Sequence, residues 1–216
     1  MLGSGPATAQ PRVLIFIVAY NAESTIKRVL RRIPTDLLAF DTEILIIDDA
    51  SQDSTFEASE TVRRAGDLPF KLTVLVNPVN QGYGGNQKLG FLYAIEHGFD
   101  VVALLHGDGQ YAPESLPELL APLLRGEADV VLGSRMMRPF QALKGGMPLY
   151  KYIGNKILTS YQNRVLGTQL SEFHSGYRVY RTETLRQIPF QMNTPDFHFD
   201  TEIIIQLLRL LSLIHI

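Results

Sequence analysis

Five short runs of aliphatic, mostly β-branched residues punctuate the first two thirds of the chain, and each stops at a cluster of glycines, carboxylates or amides. They are Val13 to Val18, Ile44 to Ile47, Leu72 to Val76, Val101 to Leu105 and Val130 to Leu132. Continuous apolar runs of this length belong to strands covered on both faces. Helical patterns separate them. Ile26, Val29, Leu30 and Ile33 recur at helical spacing before Pro34, Ser54 to Ala65 reads as a helix closed by Gly66, and Gln87 to His97 as one stopped by Gly98. Pro113 opens a fourth, with Leu116, Leu119, Leu120 and Leu123 as its stripe and Gly126 as its end. Strand and helix alternating at this spacing predict an α/β fold, with a mostly parallel central sheet and helices on both faces.

The pattern loosens after Gly133. Residues 136 to 148 read as a loop, Leu149 to Leu166 as a long helix, Tyr177 to Tyr180 as a short strand, and a last helix begins near Asp200. The apolar tail from Ile203 to Ile216 reads as a core helix. Gln206 and Arg209 interrupt it, and it falls short of the roughly 20 apolar residues of a membrane span. With 216 residues the chain suits one domain. The expected division is a flexible leader over residues 1 to 11, without a secretory signal, and a single domain over 12 to 212 that is truncated at its C-terminus. Lys plus Arg number 20 against 22 Asp plus Glu, a balance that argues against a basic nucleic-acid-binding face. The absence of cysteine excludes a disulfide framework and a thiolate zinc site.

In an open parallel sheet, ligands bind beyond the carboxyl ends of the strands. There this chain carries Ala19-Tyr20-Asn21, then Asp48-Asp49-Ala50-Ser51, then Asn77, Asn80 and Gln81 with the run Gly82 to Asn86, then His106-Gly107-Asp108-Gly109-Gln110, and finally Gly133-Ser134-Arg135. Gathered on one rim, they describe a site for a polar, phosphorylated, metal-carrying ligand. Each also has a plainer reading: Asp48 and Ser51 cap a helix as readily as they bind, Gly-Asp-Gly makes a good turn, and Arg135 suits a surface ion pair. The position of Asp108 after the most apolar strand favours an oxygen site for Mg²⁺ or Mn²⁺, with Gln110 beside it. An Arg135 fork at the rim suits a diphosphate.

At these residues the chain resembles the family 2 glycosyltransferases of GT-A fold, and within them the polyprenyl-phosphate (dolichol-phosphate) mannosyl- and glucosyltransferase-like branch. Val18-Ala19-Tyr20-Asn21-Ala22 with Glu23 stands where the family has Pro-x-Tyr-Asn-Glu. Ile47-Asp48-Asp49-Ala50-Ser51-Gln52-Asp53 resembles Val-Asp-Asp-Gly-Ser-x-Asp, and Asn80-Gln81-Gly82-Tyr83-Gly84 resembles Asn-x-Gly-x-Gly. The family's Asp-x-Asp appears as His106-Gly107-Asp108, with the first acid replaced. Gly133-Ser134-Arg135 is intact, and Glu172-Phe173-His174-Ser175-Gly176-Tyr177-Arg178 resembles Asp-x-x-Ser-Gly-Phe-Arg.

The resemblance implies inverting transfer of a hexose from GDP-mannose or a UDP-sugar to a lipid-phosphate or glycan acceptor, at or near the cytoplasmic face of a membrane. It implies nucleotide contacts from Ala19, Tyr20, Asn21, Glu23, Asp48, Asp49, Asn80, Gly82, Gly84, His106 and Gly107. It further implies a cation on Asp108, with Gln110 and His106, and positive charge from Arg135 and Arg178 where the leaving diphosphate develops. An acceptor hydroxyl would need a base, with Glu172 first and Asp200 second, both equally readable as helix caps or ion-pair partners. A polyprenyl phosphate would need none. The competing readings are a non-catalytic nucleotide-sugar binding protein and a sugar nucleotidyltransferase. The latter expects a glycine-rich loop after the first strand, where Ala19-Tyr20-Asn21 stands, and an NAD enzyme lacks its Gly-x-Gly-x-x-Gly for the same reason.

Overall fold

The structure, a computed structural model, describes residues 10–134, 136–137, 147–210 and 214–215. Its strands are β1 (Arg12–Ala19), β2 (Asp41–Asp48), β3 (Lys71–Val76), β4 (Val101–His106), β5 (Val130–Leu132), β6 (Arg178–Arg181) and β7 (Ile214–His215). They form one sheet in the order β3-β2-β1-β4-β6-β5-β7. The helices are α1 (Ile26–Arg31), α2 (Thr55–Ala65), α3 (Tyr83–Glu96), α4 (Leu116–Leu124), α5 (Leu149–Leu166), α6 (Thr182–Arg186) and α7 (Phe199–Arg209).

Alternation along the strands sorts the core into two layers. Val13, Ile15 and Ile17 of β1 meet Ile26, Val29 and Leu30 of α1, Val62 of α2, and Leu116, Leu120 and Leu123 of α4. Leu14 and Phe16 turn to the other face and meet Phe91 of α3, Leu185 of α6, and Ile203, Ile204 and Leu207 of α7. Helices thus cover both faces, as the buried apolar runs require. Gly66 closes α2 in the left-handed conformation, at φ 65°.

Register makes the rim. Ala19 pairs with Asp48, Val18 with His106, and Asp48 with Val76, so β1 to β4 end flush. The mostly parallel sheet has one reversal: β6 runs antiparallel to both β4 and β5, with Arg178 opposite Leu104 and Leu132. Its start therefore lies at the rim where the other strands finish.

Two expectations are corrected. Helix α3 begins at Tyr83 rather than Gln87, so the glycines lie in its first turn. The tail is not one helix: α7 ends at Arg209, and Ile214–His215 pairs with β5 in parallel. Of the loop expected over 136 to 148, residues 138–146 lie outside the described residues, as do residues 1–9 of the leader. Among the described residues no helix is long and apolar enough to cross a membrane.

Candidate active site

The first two rim loops are tied into one ledge. The Asn21 N–H donates to Ser51 Oγ at 2.9 Å, and Asn21 Oδ1 accepts from the Gln52 N–H at 2.9 Å. Glu23 Oε2 accepts from the Ser54 N–H at 3.2 Å, and the Ala22 N–H reaches Thr55 Oγ1 at 2.7 Å. Asn21 and Glu23 thus serve the neighbouring loop, while Tyr20 stands out half-exposed. The Thr25 hydroxyl donates to the Gly107 carbonyl at 2.6 Å and fastens the β4 loop to the same ledge.

The paired acids have different surroundings. Asp49 Oδ1 accepts from Asn77 Nδ2 at 2.7 Å and the Gln81 N–H at 2.8 Å, and its Oδ2 accepts from the Gly82 N–H at 3.1 Å. Its carbonyl accepts from Asn80 Nδ2 at 3.0 Å, and its N–H bonds the Ala19 carbonyl. Asp49 is the peg on which the β3–α3 loop hangs. The side-chain bonds of Asp48 among the described residues fall on Oδ1, which accepts from the Ser51 N–H and hydroxyl. Burial pushes the Asp48 carboxyl up, and Ser51 pulls it part of the way back.

The glycine run packs rather than cradles. The Gly84 and Gly85 N–H groups donate to the Pro195 carbonyl, at 2.6 and 3.3 Å. A Cβ on Gly84 would stand 2.6 Å from Phe199 Cβ and 2.7 Å from the Thr194 carbonyl oxygen. The first turn of α3 is therefore closed by the segment leading into α7, and Gly82 and Gly84 make that approach possible.

Asp108 lies exposed at the rim, where Oδ1 accepts from the Gln110 N–H at 3.0 Å. No group of three His, Cys, Asp or Glu side chains among the described residues is arranged to hold a metal ion. One exposed carboxylate suits a hard cation that takes its other oxygens from a diphosphate and water. The donor set fits an anchor, not a closed cage. His106 sends its ring into a wall of aromatics, 5.7 Å from Tyr83 and 5.2 Å from Tyr111 between centroids. Its Nε2 is buried and makes no hydrogen bond of good geometry among the described residues. Burial lowers its pKa, with Asp108 and Asp200 opposing.

Gly176 closes that wall. A Cβ there would lie 2.4 Å from His106 Nε2 and 2.8 Å from the Tyr83 hydroxyl. Tyr83 donates to Asp200 Oδ2 at 2.9 Å, and burial with Asp200 beside it holds its phenol well above the usual value, so it remains a donor.

Arg178 is fully buried. Its Nε donates to the Ser175 carbonyl at 2.7 Å, Nη1 to the Asp200 carbonyl at 2.9 Å and the Tyr180 hydroxyl at 3.5 Å, and Nη2 to the Phe173 carbonyl at 2.9 Å. Nη2 also stands 3.4 Å from Asp200 Oδ1. Four hydrogen bonds and an ion-pair contact with Asp200 thus hold the guanidinium inside the protein. Arg178 is an internal tie, buried and bonded within the protein, where the resemblance implied a place beside the diphosphate. Arg135 lies outside the described residues.

Glu172, also buried, accepts from Asn155 Nδ2 on Oε1 at 2.9 Å and from the Ser134 hydroxyl on Oε2 at 3.3 Å. Its neighbour His174 is half-buried, and burial lowers its pKa while Asp200 and Glu172 oppose the shift. Tyr83, Ser134, Asn155 and His174 thus join the site beside the residues the motifs single out. Tyr83 lies inside the glycine run and His174 inside the Glu172–Arg178 motif, so both were within reach of the sequence. Asn155 sits on a helix without any motif.

The family model described as "Glycosyl transferase family 2" matches residues 14–188. Among curated proteins, the undecaprenyl-phosphate mannosyltransferase of Micrococcus luteus is 34% identical over 82% of this chain and 69% of its own length. The polyprenol monophosphomannose synthase of Mycolicibacterium smegmatis is 29% identical over 86% of this chain and 68% of its own. The UDP-N-acetylglucosamine–dolichyl-phosphate N-acetylglucosaminyltransferase of Methanococcus voltae is 26% identical over 91% and 80%. Among solved structures, glucosyl-3-phosphoglycerate synthase from Mycobacterium tuberculosis, crystallised with Mn²⁺, uridine diphosphate and glucosyl-3-phosphoglycerate, superposes with a TM-score of 0.68. That match covers 95% of this chain and 68% of the other at 20% identity, a likeness of fold.

Proposed function

Because this chain belongs to glycosyl transferase family 2, a family of glycosyltransferases with the GT-A fold, we propose that its single domain transfers a hexose from a nucleotide diphosphosugar to a polyprenyl phosphate, with inversion at the anomeric carbon. The observation that carries the acceptor half is the state of the two candidate bases. Glu172 is held between Asn155 and Ser134, and Asp200 between Tyr83 and Arg178. A hydroxyl acceptor needs a carboxylate to take its proton, whereas a phosphate arrives already anionic. The relatives named for undecaprenyl-phosphate and polyprenol acceptors support the same choice.

On the donor side, Tyr20 and Asp48 would hold the nucleoside. Asp48 is preferred because Asp49 has both oxygens committed to Asn77, Gln81 and Gly82. Asn80 and Gly107 keep the floor of the site in place through their neighbours. Asp108 would hold a divalent cation, Mg²⁺ or Mn²⁺, with Gln110 at hand. Bound there, such an ion neutralises the charge on a departing diphosphate. Arg135 would add fixed positive charge on the same side. The reading puts the chain at the cytoplasmic face of a membrane, where the acceptor's phosphate is displayed.

The test is turnover of GDP-mannose and UDP-hexoses with a short, water-soluble isoprenyl phosphate, in Mn²⁺, Mg²⁺ or chelator, for the wild type and Asp108→Ala. The expected result is metal-dependent transfer, reduced on the order of 100-fold by Asp108→Ala, with an unchanged metal-free melting temperature. Equal rates in both proteins would remove the mechanism. Metal-dependent donor binding without product would select the non-catalytic binding protein instead.

A further inference from the structure

Helix α5 is built inside out. Its three amide residues and Thr159 point into the protein. Asn155 bonds Glu172 and Thr159, Gln162 reaches Thr201 Oγ1 at 3.4 Å, and Asn163 bonds both the carbonyl and the N–H of Leu170, at 2.8 and 2.9 Å. A row of its large apolar residues points outward: Tyr150 is 72% exposed, Ile153 50%, Ile157 66%, Tyr161 66% and Val165 63%. Those five recur every three or four residues and so lie on one stripe. At 1.5 Å per residue the stripe is about 22 Å long. Single exposed apolar side chains are ordinary, but an aligned row of them on a helix whose polar side is turned inward marks a contact surface.

The charge on the same helix indicates what it contacts. α5 carries Lys151, Lys156 and Arg164, all exposed, and no acid. A two-fold pairing of two copies through this stripe would bring like charges together. A bilayer with anionic headgroups neutralises them while the stripe enters the boundary between headgroup and acyl chain, the pattern of helices that lie in a membrane interface. We propose that α5 is the docking surface of this protein on an anionic lipid bilayer. The proposal deepens the polyprenyl-phosphate reading, on which it rests. Asn155, on the inward side of the same helix, holds Glu172 at the rim, so a bilayer under α5 would put a lipid-borne phosphate on the acceptor side.

Flotation with vesicles tests it. The full chain is mixed with phosphatidylcholine vesicles, pure or containing about one third phosphatidylglycerol, at low and high salt. The wild type is expected to float with the anionic vesicles and to be released by salt. The triple variant Ile153→Gln, Ile157→Gln, Tyr161→Gln should lose vesicle partitioning at least about tenfold with an unchanged melting temperature, because all three side chains are exposed. Lys151→Gln with Lys156→Gln should weaken binding to anionic vesicles only. A wild type that stays unbound, or a triple variant that floats equally well, overturns the proposal. So does a wild-type dimer in sedimentation that the triple variant dissolves. Transfer to the short soluble acceptor, run in parallel, separates the two readings. Transfer without flotation sinks the docking surface alone, while flotation without any transfer supports it and sinks the acceptor reading.

Discussion

Arg178 offers the sharpest test of the site's anatomy. Replacing it with Met keeps the length of the stem and removes five donors. Behind it remain the Asp200 carboxylate, whose Oδ1 has no hydrogen bond among the described residues, and the carbonyls of Ser175, Phe173 and Asp200. Burial alone would lower the guanidinium's pKa, and Asp200, Tyr180 and Tyr83 more than reverse that, so the guanidinium stays charged in the folded protein. Removing one member of a buried ion pair costs about 3–5 kcal/mol, a large part of a domain stability of roughly 5–15 kcal/mol. For a chain of this size that corresponds to a fall in melting temperature of roughly 6–20 °C. Adding Asp200→Asn removes the stranded charge while leaving an oxygen for Tyr83, and should restore about 1 kcal/mol or more. Urea unfolding and thermal melts without nucleotide, for both single variants and the double, read this directly. An Arg178→Met protein that unfolds with the wild type yet loses metal-dependent donor binding would refute the reasoning and make Arg178 a ligand contact.

Two further outcomes follow from the packing around the rim. Gly84→Ala forces a methyl into Phe199 and the Thr194 carbonyl, so it should destabilise by about 1–3 kcal/mol, measured by urea denaturation. Wild-type stability would mean that α3 and the residue 194–199 segment do not pack as described. Asp48→Asn should stabilise the fold at pH 7: with the folded-state pKa raised above 3.8, the acid's favourable contribution is present below that value and lost as pH rises through the folded pKa. The gain should shrink at pH 4 while donor affinity falls at pH 7, and a variant less stable than wild type at pH 7 would contradict the burial argument.

The apolar runs predicted five of the seven strands among the described residues because a strand covered on both faces leaves little choice of side chain. The same logic put Asp48, His106 and Asp108 on one rim. The direction of β6 was not legible: Arg-Val-Tyr-Arg is too short to show which way it runs, and only pairing with β4 and β5 decides it. Glycines at the start of α3 read as loop because glycine is a poor helix former. The carbonyl that satisfies that turn belongs to Pro195, more than a hundred residues away. Arg178 reads as a phosphate ligand from its motif, and its burial emerges only from tertiary packing. Periodicity identified α5 as a helix without telling which side would face inward.

The reversed strand has a consequence for how the molecule is made. On a ribosome, β4 and β5 emerge well before β6, and neither hydrogen-bonds the other in the finished sheet. Until residues 178–181 slot between them, each displays an open row of backbone donors and acceptors, the surface on which nascent chains stick to one another. A four-residue wedge thus joins β5 to the rest of the sheet late, and the demand for chaperones during synthesis should be high in the interval between emergence of Leu132 and of Arg181.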